Sequence, residues 1–215
     1  MNKTFYGDTL TVLPWLIDRR VKVKMCVTSP PYWGLRDYGC EGQLGLESTP
    51  QEYIAKMVQV FRYVRKILTD DGTLWLNIGD SYCGSGVNDG TKNAGLSNAR
   101  NRGEPISRPK GLSNLKPKDL VGIPWMLAFA LREDGWWLRS DIIWHKPSCM
   151  PESVTDRPTR CHEYVFLLAK SQKYFYDAEA IKEPSAYPDD DRKARSFDHH
   201  KHTDKANYMA FGIDA

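Results

Sequence analysis

The sequence predicts an α/β fold built around a mostly parallel sheet. Two apolar runs, Val23–Thr28 and Thr73–Ile78, have the length and composition of buried strands. Between them, Pro50–Leu68 carries apolar residues at helical spacing. A strand, a helix and a second strand in succession favour parallel neighbours joined by a crossover helix, with helices flanking the sheet.

The helix over 50–68 has clear signals at both ends. Thr49 is suited to cap it and Pro50 to stand in its first turn, while Asp70-Asp71-Gly72 supplies a stop. We therefore expect one broad side of this helix to pack against the sheet. That apolar side consists of Tyr53, Ile54, Met57, Val58, Val60, Phe61, Val64, Ile67 and Leu68.

Shorter elements are predicted on either side of this unit. Thr4–Asp8 reads as an extended segment and Thr9–Asp18 as a short helix with a proline in or near its first turn. Residues 120–132 have a second helical pattern, which Asp134-Gly135 ends. The first of these helices thus precedes the strand–helix–strand unit, and the second follows it.

Further extended segments are predicted after the second helical pattern. Trp136–Trp144 forms one strand or two short ones around a bend, and Tyr164–Leu168 forms a buried strand. Lys173–Asp177 is predicted to be extended. From these patterns we assign residues 1–184 to one domain and residues 185–215 to a polar segment.

Residues 80–119 differ sharply in composition from their surroundings. Gly, Ser and Asn dominate, so this stretch lacks the apolar surface to order itself in isolation. It is either a flexible, solvated insertion or a cationic loop that orders on a phosphate backbone, and its flanking motifs favour the second. Its basic residues are Lys92, Arg100, Arg102, Arg108, Lys110, Lys116 and Lys118.

Composition sets broad limits on the class of protein. The 215 residues suffice for one large domain, and the net charge of +3 does not by itself imply a nucleic-acid partner. No apolar run approaches the length of a membrane span, and the first residues lack a signal-peptide pattern. Five scattered cysteines without close pairs are typical of reduced cytosolic thiols.

The segment Thr28–Trp33, of sequence Thr-Ser-Pro-Pro-Tyr-Trp, is the most informative one. Two prolines end the preceding strand rigidly, because proline has a fixed φ and no N–H for the sheet. The carbonyls of Ser29 and Pro30 are then free to face a ligand, and Tyr32 offers a flat surface beside them. Alternatively, this is a simple strand end with aromatic residues in the core.

Four blocks together resemble the bacterial and phage DNA amino-methyltransferases, which methylate N4 of cytosine or N6 of adenine. They are Thr28–Trp33, Gly72–Tyr82, Asp141–Pro147 and Arg157–Phe166, and their order is similar to that of the circularly permuted beta group. The resemblance implies a Rossmann-like methyltransferase fold, S-adenosylmethionine as cofactor, double-stranded DNA as partner, and a cytoplasmic location in a bacterial or phage-infected cell.

The resemblance also implies a catalytic role for Ser29, Pro30, Pro31 and Tyr32. The Ser29 side chain and the Pro30 carbonyl would accept hydrogen bonds from the target amino group, which concentrates electron density on its nitrogen. Tyr32 would stack on the base after it rotates out of the duplex. No covalent adduct is needed, so no cysteine is predicted to be a nucleophile. A serine at position 29 favours cytosine over adenine slightly.

Other residues are assigned by the same resemblance. Asp8 and Thr28 are predicted to lie near the cofactor, although Asp8 is equally suited to cap the helix that follows it. Glu163, beside His162, is interpreted as a structural hydrogen-bonding group, and no metal site is predicted, because the histidines at 199, 200 and 202 form a solvated tract. The predicted DNA contacts are Trp33, Arg36, Arg100, Arg102, Lys146, Arg157 and Arg160. Trp33 is equally suited to a core or rim position.

One family feature has no match in these 215 residues, namely the glycine-rich cofactor loop between a strand and a helix. Gly84-Ser85-Gly86 lacks that context. We therefore expect the catalytic half of the fold, with a sheet that is incomplete on its cofactor side and that a homodimer or a complementing chain could complete. The alternative function is a truncated or partner-dependent DNA-binding relative without independent activity.

Overall fold

The protein has an α/β fold with a single four-stranded sheet among its described residues. A computed structural model describes residues 3–83, 115–116 and 118–183. Tyr176–Ala215 is a separate compact unit, in which the described part is a turn closed by a Lys182–Glu179 ion pair. The elements of the first unit are α1 (Thr9–Asp18), β1 (Val23–Thr28), α2 (Pro50–Ile67), β2 (Leu68–Ile78), α3 (Ile123–Glu133), β3 (Trp137–His145) and β4 (His162–Ala169).

The sheet has the strand order β1-β2-β4-β3. β1 and β2 run parallel, with Thr28 opposite Leu76, while β4 is antiparallel to both β2 and β3. The predicted α/β class is correct, but the sheet is mixed rather than mostly parallel over the described strands. The reason is the connection: α2 provides the crossover that parallel neighbours need, whereas β3 and β4 follow each other without a helix.

Helix α2 begins and packs as its sequence predicts. The Thr49 hydroxyl accepts a hydrogen bond from Glu52 N at 3.2 Å, and the Glu52 carboxylate accepts one from Ser48 N at 3.1 Å. Tyr53, Met57 and other residues of one side of the helix are buried. Because α2 connects two adjacent parallel strands, this buried side holds β1 and β2 together.

Strand β2 begins at Leu68, five residues earlier than the predicted Thr73. Asp70-Asp71-Gly72 reads as a turn, but long-range bonds keep it extended: Lys170 N donates to the Gly72 carbonyl at 3.1 Å and Phe175 N donates to the Asp71 carbonyl at 3.1 Å. The pairing register with β1 shifts between Val23 and Met25. The first residues of β2 therefore include Asp70-Asp71-Gly72, and the pairing with β1 is irregular there.

Helix α3 receives its cap from another element. Gly122 precedes it with a φ of +84° and has no capping side chain. Instead, the Asp80 carboxylate accepts hydrogen bonds from Gly122 N at 2.9 Å and Ile123 N at 3.0 Å. Asp80 follows β2, so this cap locks the end of β2 onto α3. None of the described helices is both long and apolar enough to cross a membrane.

The core lies between the sheet and helices α2 and α3. The core does not extend over the two edge strands: Met25 and Val27 of β1 are 55% and 69% exposed, and Trp144 of β3 is 55% exposed. The buried cluster comprises Trp33, Tyr53, Ile54, Met57, Phe61, Val64, Leu68, Leu74, Leu76, Ile78, Val121, Ile123, Leu127, Ala128, Leu131, Trp136, Phe166 and Leu168.

The expectation of five reduced cysteines is wrong for one pair. Cys149 and Cys161 are joined by a disulfide, with their Cα atoms 5.2 Å apart. The connection between β3 and β4 folds back on itself, since Lys146 N donates to the Cys161 carbonyl at 2.8 Å. A separation of 12 residues along the chain does not reveal this approach. Cys26, Cys40 and Cys83 are free thiols.

Candidate active site

The Ser-Pro-Pro-Tyr segment lies at the carboxyl ends of the two parallel strands. β1 ends at Thr28, and Pro30 and Pro31 then carry the chain out of the sheet. In open α/β sheets this edge is where ligands bind. The position of the segment therefore agrees with the role predicted for it.

The backbone of this segment is held from beneath by buried groups. The Tyr53 hydroxyl donates to the Pro31 carbonyl at 2.8 Å, and the Trp33 indole N–H donates to the Glu47 carbonyl at 2.9 Å. Burial, together with the charge of Glu47 and the neighbouring Tyr32, raises the pKa of Tyr53 well above its ordinary value. Tyr53 therefore stays protonated and keeps donating to Pro31.

Tyr32 packs its ring against the backbone that follows β2. A Cβ atom built on Gly79 would lie 2.6 Å from Cε2 and 2.8 Å from Cδ2 of the Tyr32 ring. Glycine is thus required at position 79 for the close approach of the ring. The contact sets how far the ring stands from the sheet.

The Tyr32 hydroxyl joins four side chains into one network. It donates towards Asn77 Oδ1 at 2.9 Å and Glu163 Oε2 at 3.1 Å, and it accepts from Ser29 Oγ at 3.2 Å. Lys146 Nζ bonds the other Glu163 oxygen, Oε1. The network links β2, β4 and the residue after β3 to the Ser-Pro-Pro-Tyr segment.

Charge and burial act in opposite directions within this network. Burial of Glu163 opposes its ionisation, but the hydrogen bond and the positive charge of Lys146 outweigh burial and hold the pKa of Glu163 below its ordinary value. For Tyr32, burial raises the pKa, and the Glu163 charge adds to that effect against the hydrogen bond from Ser29. At neutral pH the site thus contains a carboxylate and a neutral phenol.

A cavity of about 300 Å³ opens beside the segment. Its size matches the lower end of small-ligand pockets, about 300 Å³. A larger cavity of about 950 Å³ lies along α2 and contains none of the predicted site residues. The 300 Å³ cavity is lined by Ser29, Pro30, Pro31, Tyr32, Leu35, Arg36 and Tyr38.

The cavity brings together the four predicted catalytic residues and one predicted DNA contact, Arg36. Leu35 and Tyr38 were not predicted; they are 49% and 56% exposed, although both are large and apolar. Exposed large apolar side chains that line a cavity indicate a ligand-binding surface. Only their exposure, which the sequence does not show, could have identified them.

Trp33 has the core position that was considered for it as an alternative to DNA contact. Its side chain is only 3% exposed and its indole N–H is used by the Glu47 carbonyl. Tyr32 lines the cavity, whereas Trp33, which begins the turn that follows, is buried in the core. Trp33 therefore supports the segment from within and offers no surface to DNA.

Asp8 has the structural role that was considered for it beside cofactor binding. Its carboxylate accepts a hydrogen bond from Leu10 N at 2.6 Å and caps α1. Thr28 is the last residue of β1 and is half-buried beside the segment. Cofactor contact by either residue stays a prediction.

The remaining predicted DNA contacts have diverse surroundings. The Arg157 guanidinium stands 4.1 Å from the centre of the Tyr82 ring and pairs with Glu152 at 2.6 Å. Arg160 Nη1 lies 3.8 Å from Asp80 Oδ2, and its side chain is 17% exposed. Lys146 is committed to Glu163.

Two predicted DNA contacts, Arg100 and Arg102, lie outside the described residues, as do most of the 80–119 insertion and the 185–215 segment. The histidines at 199, 200 and 202 lie outside them too. Within the described ranges, no three His, Cys, Asp or Glu side chains are grouped so that they could hold a metal ion.

Three residues around Tyr32 were not predicted as site residues, namely Asn77, Gly79 and Glu163. Glu163 was interpreted only as a structural hydrogen-bonding group, and the structure confirms the bond while placing it within the site. The signal for Asn77 is a polar residue inside an apolar strand, at a position next to the carboxyl end. Glu163 could not be connected to Tyr32 without knowing that β4 pairs with β2.

The family profile and the similar proteins agree on one family of enzymes. The profile of the DNA methylase family, which covers N6 and N4 enzymes, matches residues 23–209. The type II methyltransferase M.SmaI of Serratia marcescens is 59% identical over 170 residues, covering 79% of this chain and 56% of that protein. The type II methyltransferase M.Cfr9I of Citrobacter freundii is 53% identical, covering 83% of this chain and 58% of that protein. This chain thus spans a little over half the length of these relatives.

A solved structure supports the fold. The cytosine-N4-specific PvuII DNA methyltransferase superposes with a TM-score of 0.52 at 17% identity, covering 82% of this chain and 52% of that one. At this identity the likeness concerns the fold alone. The α/β fold of this chain is therefore similar to one that a DNA methyltransferase adopts.

Proposed function

We propose a function from the premise that the chain belongs to the DNA methylase family of N6 and N4 amino-methyltransferases. The proposed reaction transfers a methyl group from S-adenosylmethionine to the exocyclic amino group of a base in double-stranded DNA. Cytosine N4 is favoured over adenine N6. The observation that carries the proposal is the cavity lined by Ser29, Pro30, Pro31 and Tyr32 beside the carboxyl end of β1.

The cavity suits a base that has been rotated out of the duplex. Tyr32 and the prolines provide flat apolar walls, and the exposed Ser29 hydroxyl provides a polar point among them. The target amino group has N–H donors and a delocalised lone pair. Acceptance of one N–H by Ser29 Oγ and of the other by the Pro30 carbonyl localises that lone pair on nitrogen.

The residues described fit one side of the methyl donor. When it is bound, S-adenosylmethionine supplies an electrophilic methyl group. Thr28 and the Ser-Pro-Pro-Tyr segment would face that group, next to the β1 edge on which Met25 and Val27 stand exposed. The Asp8 carboxylate is engaged by Leu10 N, so it would contact the donor only through its second oxygen.

Catalysis in this arrangement comes from positioning. Tyr53 holds the Pro31 carbonyl and Trp33 ties the segment to the Glu47 carbonyl, so the backbone that carries the Pro30 carbonyl is fixed relative to the donor. Three described cysteines are free thiols and none of them lines the 300 Å³ cavity, which agrees with direct transfer without a covalent base adduct.

The experiment is incorporation of a tritiated methyl group from S-adenosylmethionine into duplex DNA. Ser29→Ala is expected to lower incorporation about 100-fold or more, the usual effect of losing one such hydrogen-bonding group. Ser140→Ala, which removes an exposed hydroxyl on β3 that donates to the Asp141 carbonyl, is the matched control and should retain activity. Equal activity of the Ser29→Ala and unaltered proteins would contradict the proposal.

Two further measurements refine the outcome. Mass spectrometry of nucleosides from the methylated DNA separates N4-methylcytosine from N6-methyladenine. A partner-dependent DNA-binding relative is the second candidate, because the β1 edge exposes apolar side chains within the described residues. Salt-dependent DNA binding without binding of S-adenosylmethionine in calorimetry would favour that second candidate.

A further inference from the structure

We infer that Glu163 is a positioning residue of this site, which orients the Ser29 hydroxyl as a hydrogen-bond acceptor through Tyr32. The inference rests on the proposed function, since it assigns a purpose to the acceptor. It follows from counting the protons of the network that joins Ser29, Tyr32, Asn77, Glu163 and Lys146.

The count begins at Asn77. Its Nδ2 donates to the Tyr164 carbonyl at 3.2 Å, and a carbonyl can only accept, so the amide oxygen must be the atom that faces Tyr32. Amide oxygens and carboxylates also only accept. The single proton of the Tyr32 hydroxyl is therefore directed to Asn77 Oδ1 and Glu163 Oε2, which lie at 2.9 and 3.1 Å.

The next step concerns Ser29. Because the Tyr32 proton points to the opposite side, the Tyr32 oxygen presents a lone pair to Ser29 Oγ at 3.2 Å. Ser29 donates its hydroxyl hydrogen to that lone pair in a hydrogen bond. Both lone pairs of Ser29 Oγ are then available to an incoming N–H donor, and a base amino group has only donors to offer.

Glu163 determines the direction of this chain of bonds. Lys146 keeps it ionised, so it accepts and never donates. A protonated carboxyl could donate to Tyr32, which would leave Asn77 Oδ1 alone to hold the Tyr32 proton and would weaken the preference of the Ser29 proton for Tyr32 over the base. An ionised acceptor at the end of the chain also polarises each bond before it, which strengthens the acceptor at Ser29.

A purely structural role is the competing explanation, in which Glu163 only ties β4 to the segment. The two explanations differ in what happens when Tyr32 loses its hydroxyl. In our proposal Glu163 acts on Ser29 solely through that hydroxyl, so Tyr32→Phe abolishes its influence while the ring remains. A structural tie to Lys146 would persist in Tyr32→Phe.

The test is a double-mutant cycle in the full chain with Glu163→Gln and Tyr32→Phe. Each single change is expected to lower kcat for DNA methylation about 10- to 100-fold, as loss of a supporting hydrogen bond does elsewhere. The KM for DNA should stay within about twofold, because binding of the duplex is untouched. The double variant should be no slower than Tyr32→Phe within about twofold.

A control and a reserve variant accompany the cycle. Asp71→Asn removes a carboxylate that pairs with Lys24 at 2.9 Å at the far end of β2, and it should leave kcat unchanged. If Glu163→Gln fails to fold because Lys146 is left without its partner, Glu163→Gln combined with Lys146→Met removes both charges. Additive losses of kcat from Glu163→Gln and Tyr32→Phe would overturn the inference.

A second readout does not require activity. Carbon-13 labelling of the tyrosine ring allows the pKa of Tyr32 to be followed by NMR. Glu163→Gln should lower that pKa, because a neighbouring negative charge is removed, while the ring keeps its contact with Gly79. If the unaltered chain methylates no DNA, the proposed function fails; an unchanged Tyr32 pKa in Glu163→Gln would then refute the network separately.

Discussion

Substitution of Gly79 by alanine tests the geometry of the site most directly. The added Cβ would lie 2.6 Å from Cε2 and 2.8 Å from Cδ2 of Tyr32. Non-bonded carbon atoms settle at about 3.5–4.0 Å, so the ring must move by about 1 Å. It cannot retreat along its own axis, because its hydroxyl is held by Asn77 and Glu163. The ring must tilt into the cavity instead.

The expected cost of that tilt is large for catalysis and moderate for stability. A misplacement of about 1 Å can lower a rate about 100-fold, which corresponds to about 2.7 kcal/mol of activation free energy. Overpacking typically lowers the free energy of unfolding by about 1–3 kcal/mol. Single-turnover methyl transfer to duplex DNA measures the first quantity, and urea unfolding measures the second.

A second glycine substitution separates loss of activity from loss of stability. Gly135 has a φ of +95°, and a Cβ there would meet Arg65 only at ordinary distances of 3.5 Å or more. Gly135→Ala should therefore destabilise by about 1–2 kcal/mol through backbone strain and leave methyl transfer unchanged. Full activity of Gly79→Ala, with Tyr32 in place in its crystal structure, would refute the reasoning about the ring.

Three other changes have defined outcomes. Tyr53→Phe leaves the Pro31 carbonyl without its donor and should cost about 1 kcal/mol in urea unfolding, together with a several-fold loss of kcat; unchanged values would show that the bond is dispensable. Asp80→Ala removes the cap of α3 and should lower the free energy of unfolding by about 1–2 kcal/mol, measured as a lower urea midpoint; an unchanged midpoint would argue against the cap. The pKa of Glu163 is held below its ordinary value, so ionisation of Glu163 stabilises the fold. This stabilisation is fully present above the unfolded-state pKa of about 4.3, and it is lost as the pH falls through the folded-state pKa. Urea unfolding of Glu163→Gln should thus show a weaker loss of stability on acidification than the unaltered chain; parallel curves would contradict the assignment.

The sequence predicts a helix or strand boundary correctly where the residues that determine it lie within one turn of it. Thr49 and Pro50 place the start of α2 correctly, since a capping residue and an N-terminal proline act within one turn. Asp70-Asp71-Gly72 misleads for the opposite reason. Its backbone is held extended by residues about 100 positions away, such as Lys170, whose ammonium bonds the Leu68 carbonyl at 2.9 Å.

The same division holds within the site. The Ser-Pro-Pro-Tyr segment is recognisable because its chemistry resides in consecutive residues. Glu163 could not be connected to it, because β4 inserts between β2 and β3 and only that strand order brings residue 163 to residue 32. The parallel sheet was predicted from one crossover helix, and the antiparallel half lies in strands whose pairing no local signal encodes.

The burial of Trp33 explains why the segment can be both rigid and open. Of the two adjacent aromatic residues, Trp33 anchors the backbone in the core and Tyr32 remains at the cavity. Trp33 is tied to the Glu47 carbonyl and Tyr53 to the Pro31 carbonyl, so the ordering entropy of the loop is lost during folding and not on substrate binding. In the proposed function, Tyr32 and Ser29 are then oriented before the base arrives. A site that acts by accepting two N–H bonds gains its rate from such preorganisation, since it forms no bond of its own to the substrate.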